Sequence, residues 1–172
     1  QVRISSHGRL GNYLAFLISR EIIMITTERL MIKRINHDGD GQLAKLLADP
    51  TIQQGAHLLF SGPQPSSFEV DFLLQTGHFY AIYEQRCPGK IVGLLFTQPS
   101  ELAGEGAVEL GYFLAPACRG RGIMTEAVRG LTAQSTKLIV ALTDKDNLAS
   151  QRVLRRAGFQ LVKQEDDQVL WE

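Results

Sequence analysis

The sequence is poor in cysteine, in clustered histidine and in net charge, and each shortage removes a class of answers. Cys87 and Cys118 are its two cysteines. They lie far apart and outside any C-x-x-C spacing, so neither a disulfide framework nor a zinc centre has ligands to build on. His7, His37, His57 and His78 lack the i,i+4 spacing or cysteine companions of a metal site, and no metal is expected. Eighteen basic residues match eighteen acidic ones, which leaves no global field to draw the chain onto nucleic acid or an anionic membrane. The apolar run Tyr13 to Ile18 is too short to span a bilayer. Arg3 and Arg9 precede it as a signal's n-region would, but no small-residue cleavage pattern follows before Arg20-Glu21. The expectations are a reducing cytoplasm, no membrane association and no nucleic-acid partner.

What is present suits one compact domain. The 172 residues, 44% hydrophobic and 21% charged with no low-complexity tract, can bury one substantial core and are too few for two ordinary domains. Leu30, Ile32 and Ile35 between Arg29, Lys33 and Arg34 give a period-two strand. Asp38-Gly39-Asp40 caps a helix carrying Leu43, Leu46 and Leu47, which Asp49-Pro50 ends. Ser66-Ser67-Phe68-Glu69 is a capping box that opens a second helix. His78 to Glu84 and Lys90 to Gln98 form a hairpin, and Ala107 to Ala115 a fourth strand halted by Pro116. A helix from Ile123 to Gln134 follows, then a buried strand from Lys137 to Thr143. Asn147 caps a last helix, Leu148 to Ala157, that stops at Gly158. Strands from Phe159 to Lys163 and Gln168 to Trp171 close an α+β order without internal repeats.

The stretch Cys118-Arg119-Gly120-Arg121-Gly122 between the fourth strand and its helix is the most informative. Its glycines let the backbone turn tightly and approach a ligand, and the N–H groups that open a helix present partial positive charge. Together they suit a phosphate or pyrophosphate, with Arg119 and Arg121 offering forked donors to its oxygens. No lysine followed by Ser or Thr completes a P-loop, and Thr125 stands where a dinucleotide-binding fingerprint needs a third glycine or alanine. A Gly-Arg-Gly triplet by itself is also what a flexible loop ahead of a capped helix looks like.

Its companions tip the balance. Glu109-Leu110-Gly111-Tyr112-Phe113-Leu114, the run Arg119 to Ala127, Asn147-Leu148-Ala149-Ser150 and Ala157-Gly158-Phe159 together resemble the GNAT N-acetyltransferase superfamily. Thr27-Glu28-Arg29-Leu30, Asp49-Pro50 and Asn-x-x-Ser resemble its branch of ribosomal-protein N-terminal (alanine/serine) acetyltransferases. The resemblance runs from about Ile25 to Trp171. It implies a mostly antiparallel mixed sheet of about seven strands flanked by about four helices, with the fourth and fifth strands splayed. Residues 25–172 would be a single acetyltransferase domain. Residues 1–24 would be an N-terminal extension, since Met24 opens a stretch resembling a natural start; its apolar run is compatible with a homodimer.

By the same resemblance, the co-substrate is acetyl-coenzyme A. Main-chain amides from Arg119 through Gly120, Arg121, Gly122, Ile123 and Met124 to Thr125 would hold its pyrophosphate, with Met124 replacing the family's usual Gly or Ala. Phe113 and Leu114 would offer main-chain groups to the pantetheine arm, and Asn147 and Ser150 would lie near the thiol. Leu154 occupies the position where many relatives carry a thiolate-protonating tyrosine, and Ser150 is the candidate substitute; it is also simply the N3 residue of a helix capped by Asn147. Glu109 is the candidate base, or else a solvent-facing strand residue. Glu126, in a helical first turn, is assigned no catalysis. The implied reaction is direct attack of a primary amine, from a peptide N-terminus or a small molecule, on the thioester. A catalytically inert acyl-coenzyme A sensor or structural subunit is the alternative, and an ATP- or NAD-binding module is disfavoured by the missing motif residues. The segment Thr51 to Pro65, expected to shape the acceptor pocket, carries no acid, so polycations are expected to be poor substrates.

Overall fold

The computed structural model describes residues 22–55, 58 and 60–172. The Tyr13–Ile18 run, and with it most of the expected extension, lies outside the described residues. Met24–Thr26 (β1), Leu30–Ile35 (β2), His78–Glu84 (β3), Cys87–Pro99 (β4), Val108–Leu114 (β5), Ile139–Asp144 (β6), Leu161–Glu165 (β7) and Gln168–Trp171 (β8) form one sheet, ordered β1-β2-β3-β4-β5-β6-β8-β7. Every neighbouring pair is antiparallel except β5 with β6. Among the described residues five helices accompany it: Gln42–Leu47 (α1), Pro50–Gly55 (α2), Ser67–Leu74 (α3), Ile123–Gln134 (α4) and Leu148–Ala157 (α5).

The alternation of side chains along each strand divides the core in two. Ile32, Tyr80, Leu95, Leu110 and Tyr112 turn to one face, where α4 and α5 add Ala127, Val128, Leu131 and Leu154. Phe79, Ala81, Leu94 and Phe96 turn to the other, which α1, α2 and α3 cover with Leu43, Leu47, Ile52, Val70 and Leu74. Gly111 is required where Phe96 crosses it: a Cβ there would lie 2.0 Å from the Phe96 Cζ. Trp171 closes the C-terminal end, its indole N–H donating to the Thr143 hydroxyl at 3.1 Å.

Local chemistry sets most boundaries as expected. The α3 capping box is complete, with the Glu69 amide donating to the Ser66 hydroxyl and the Glu69 carboxylate accepting from the Ser66 amide. Asp38 receives the amides of Leu43 and Ala44 at 2.9 and 2.8 Å and so fixes the start of α1. Two elements exceed the sequence reading. Asp49-Pro50 ends one helix and also begins another: Asp49 accepts from the Thr51 amide and hydroxyl, and Pro50 occupies a first-turn position where no N–H is needed. β1 is only three residues long, too short to show a period; pairing of Ile25 with Ile32 holds it on the sheet.

Candidate active site

The turn from β5 to α4 is a row of unclaimed donors. The Cys118 and Arg119 amides close a 3-10 turn by donating to the Ala115 and Pro116 carbonyls. From Gly120 to Thr125, no backbone or side-chain acceptor among the described residues takes an amide hydrogen. Gly120 and Gly122, at φ of 75° and 76°, make this possible, because the left-handed conformation that turns the chain is one other residues avoid. Six consecutive donors at the start of a twelve-residue helix are a strong anion site.

Beside this cradle the sheet opens. β5 and β6 are paired only through Val108 with Ile139 and Glu109 with Val140; beyond those residues the strands part. A groove of about 510 Å³ enters the gap between α2 on one face and α5 on the other. Tyr112, Phe113 and Leu114 line it from β5, and Gly120, Gly122 and Ile123 to Thr125 line it from the cradle. The Ala115 amide bonds to the Val92 carbonyl. By antiparallel alternation, the main chain of Phe113, which pairs with Leu94, is therefore turned toward β4. Tyr112 and Leu114 turn theirs into the gap. Phe113 thus supplies a side-chain wall, and free main-chain groups come instead from Tyr112, a residue the sequence reading passed over.

Two arginines expected at the phosphates behave differently. Arg119 faces the groove, tied by Nε to the Leu114 carbonyl at 3.3 Å and by Nη2 to the Thr51 hydroxyl at 3.2 Å, so it links the cradle to α2. Arg121 does not line the groove. Both of its terminal nitrogens donate to the Glu84 carboxylate, at 3.1 and 2.6 Å, which holds Glu84 below the usual carboxylate range. Its amide remains in the cradle, but its charge is compensated. Glu126 is similarly occupied: its carboxylate accepts from the Thr27 hydroxyl and from the amide and Nε of Arg29, clamping α4 to the β1–β2 turn.

Glu109 is the last β5 residue joined to β6, at the closed end of the gap. It is 3% exposed, so it does not face solvent, and its Oε1 has no hydrogen-bond partner. Burial pushes its pKa up to about 7, tempered by a hydrogen bond from the Gln98 side chain. It is absent from the groove wall and sits at the apex instead. Asn147 and Ser150 both line the groove from α5; the Asn147 side chain accepts from the Ser150 amide at 3.1 Å, and the Tyr112 hydroxyl donates to the Ser150 carbonyl at 3.1 Å. That buried bond ties β5 to α5 across the opening. Leu154 is fully buried in the core and does not line the groove.

The sequence and the fold have counterparts among known proteins. The model of the acetyltransferase (GNAT) domain matches residues 29–160. The chain belongs to the GNAT acetyltransferase family. No curated protein matches its sequence significantly. Solved structures do match its GNAT fold. A GNAT acetyltransferase from Bacillus anthracis is 16% identical, with a TM-score of 0.66 over 87% of this chain and 96% of that one. RimL, a ribosomal L7/L12 alpha-N-protein acetyltransferase solved with coenzyme A, is 20% identical, with a TM-score of 0.65 over 86% and 96%. The microcin C7 self-immunity acetyltransferase MccE, solved with acetyl-coenzyme A and AMP, is 19% identical, with a TM-score of 0.65 over 84% and 92%. Like these GNAT proteins, this one is an acetyltransferase. Among the described residues no group of His, Cys, Asp or Glu is placed to hold a metal, and no helix is long and apolar enough to cross a membrane.

Proposed function

We propose that this GNAT protein transfers the acetyl group of acetyl-coenzyme A to a primary amine by direct attack, with a peptide or protein N-terminus as the favoured acceptor class. The observation that carries the reading is the run of six unclaimed amides from Gly120 to Thr125 opening onto a gap beside β5. The amides fit a diphosphate, and the β5 edge formed by the Tyr112 main chain and the Leu114 amide fits an amide-bearing arm that adds like a strand. The thioester then lies toward the apex, where Glu109 is.

The amine must lose a proton to attack. A carboxylate with a pKa near 7 is poised to take one at neutral pH, and Glu109 is that group. An α-amine with a pKa near ~8 costs about 1 kcal/mol to neutralise at pH 7, whereas a lysine near ~10.4 costs about 4–5 kcal/mol. A single carboxylate therefore serves an N-terminus better than a lysine. Ser150, fixed by Asn147 and by the Tyr112 hydroxyl, is the proposed donor to the departing thiolate. RimL, which acts on a ribosomal protein's α-amine, supports the acceptor class by analogy.

The test is thiol release from acetyl-coenzyme A with a panel of free peptides, their Nα-blocked counterparts and small amines. Release with free peptides that Nα-blocking abolishes supports the proposal. Coenzyme A binding without release on any amine would favour an inert acyl-coenzyme A sensor.

A further inference from the structure

The stretch Thr27-Glu28-Arg29-Leu30 does not line the groove. Thr27, Glu28 and Arg29 line a neighbouring depression on the other side of the cradle, and Gly122 belongs to both. The turn they form is firmly built. The Thr27 amide donates to the Leu30 carbonyl at 3.0 Å, and the Leu30 amide to the Thr27 hydroxyl at 3.1 Å. Gln85, one residue past β3, donates its amide to the Arg29 carbonyl at 2.9 Å and its side chain to the Thr27 carbonyl at 2.6 Å. From this base Arg29 grips the Glu126 carboxylate with its amide and its Nε, at 2.8 and 2.6 Å.

A further nitrogen of Arg29 reaches past that clamp. Its Nη1 donates to the Arg121 carbonyl at 3.1 Å, inside the cradle turn. In a trans peptide the carbonyl and the next N–H point in opposite directions. Arg29 stands on the side away from the groove, so the carbonyl it holds leaves the Gly122 N–H turned toward the groove. The backbone alone does not enforce that orientation. Gly122 has a φ of 76°, and because glycine accepts either sign of φ, the peptide between Arg121 and Gly122 turns over at little steric cost. Turned over, it would withdraw one donor and aim a carbonyl dipole at a bound anion. Glu84 restrains the same residue by pairing with both terminal nitrogens of Arg121, and it lies in register with Leu30, the neighbour of Arg29. Both restraints therefore come from the β2–β3 end of the sheet.

We propose that Arg29 is a positioning residue for the acyl carrier: its guanidinium, oriented by Glu126, sets the peptide between Arg121 and Gly122 so that the Gly122 N–H faces the diphosphate. This rests on the acetyl-coenzyme A reading above and adds to it. Arg29 acts through the cradle, so its influence falls on the phosphates and not on the pantetheine arm along β5. The planar guanidinium directs Nε and Nη1 to two different acceptors at once, which a single ammonium does not do.

Titration of the full chain with coenzyme A and with pantetheine, which keeps the arm and lacks every phosphate, tests it on wild type, Arg29→Gln and Arg29→Lys; following the titrations by NMR makes millimolar affinities readable. Arg29→Gln is expected to weaken coenzyme A about tenfold and to leave pantetheine unchanged. In the thiol-release assay the same change should raise KM for acetyl-coenzyme A by that factor with kcat held. Arg29→Lys should show the same selective loss to a smaller extent, and it carries the test where Arg29→Gln does not fold. A merely structural clamp, once broken, would weaken both ligands by the same factor. That result would overturn the inference, as would coenzyme A affinity unchanged in both variants. Failure of wild type to bind coenzyme A would instead overturn the acetyl-coenzyme A reading, and this inference with it.

Discussion

Replacing Glu109 with glutamine isolates the energetic consequence of burying a carboxyl at the apex of the gap. The glutamine keeps the shape and removes the titration. A carboxyl whose pKa rises from 4.5 to about 7 holds its proton more tightly in the folded protein than in the unfolded chain. At ~1.4 kcal/mol per tenfold, that difference is about 3 kcal/mol. The resulting stabilisation is complete below the unfolded value of 4.5, is lost as the pH rises through about 7, and is gone above it. Wild type therefore loses about 3 kcal/mol relative to Glu109→Gln across that window, and the variant gains on it in alkaline buffer. Urea denaturation of both proteins between about pH 4.5 and 8.5 measures this directly, because the remaining titrating groups cancel in the difference. A stability difference that stays flat over the whole range would refute the argument that Glu109 is buried without a compensating charge.

Three other outcomes are expected. In thiol-release assays with a peptide acceptor, kcat/KM of wild type should rise with pH through a limb near 7, and Glu109→Gln should lose that limb along with roughly 10²- to 10⁴-fold in rate. Gly111→Ala should lower the unfolding free energy by about 1–3 kcal/mol or more, since its methyl group would be driven into the Phe96 ring; urea midpoints read this. Spermidine should be a poor acceptor next to a neutral peptide. The groove wall has three arginines and no acid, and the carboxylates nearest in sequence to the acceptor segment are committed, Asp49 to the Thr51 amide and hydroxyl, Glu69 to its cap and Asp71 to the Asp38 amide; a kcat/KM for spermidine above that of the peptide would count against this.

The sequence announces elements in proportion to how locally they are stabilised. The Ser66 capping box, the Asn147 cap and the Gly158 stop each act within one helical turn, and α3 and α5 lie where those signals put them. β1 depends on a partner strand and α2 on a cap that doubles as a stop, so neither has a pattern of its own. The cradle was legible because free amides follow from glycines placed before a helix, a property of the backbone. Side-chain destinations were not. That Arg121 is spent on Glu84, 37 residues away in sequence, is a tertiary fact. So are the alternation that turns the main chain of Tyr112 rather than Phe113 into the gap and the bond from the Arg129 side chain on α4 to the Arg156 carbonyl on α5.

Hydrogen–deuterium exchange of the chain with and without acetyl-coenzyme A tests the central claim most directly. The amides of Gly120 to Thr125, unclaimed in the free protein, should exchange fast and slow markedly on binding, together with the β5 edge at Tyr112 and Leu114. Saturable binding that leaves those eight amides unprotected would show that the carrier sits elsewhere and would contradict the account.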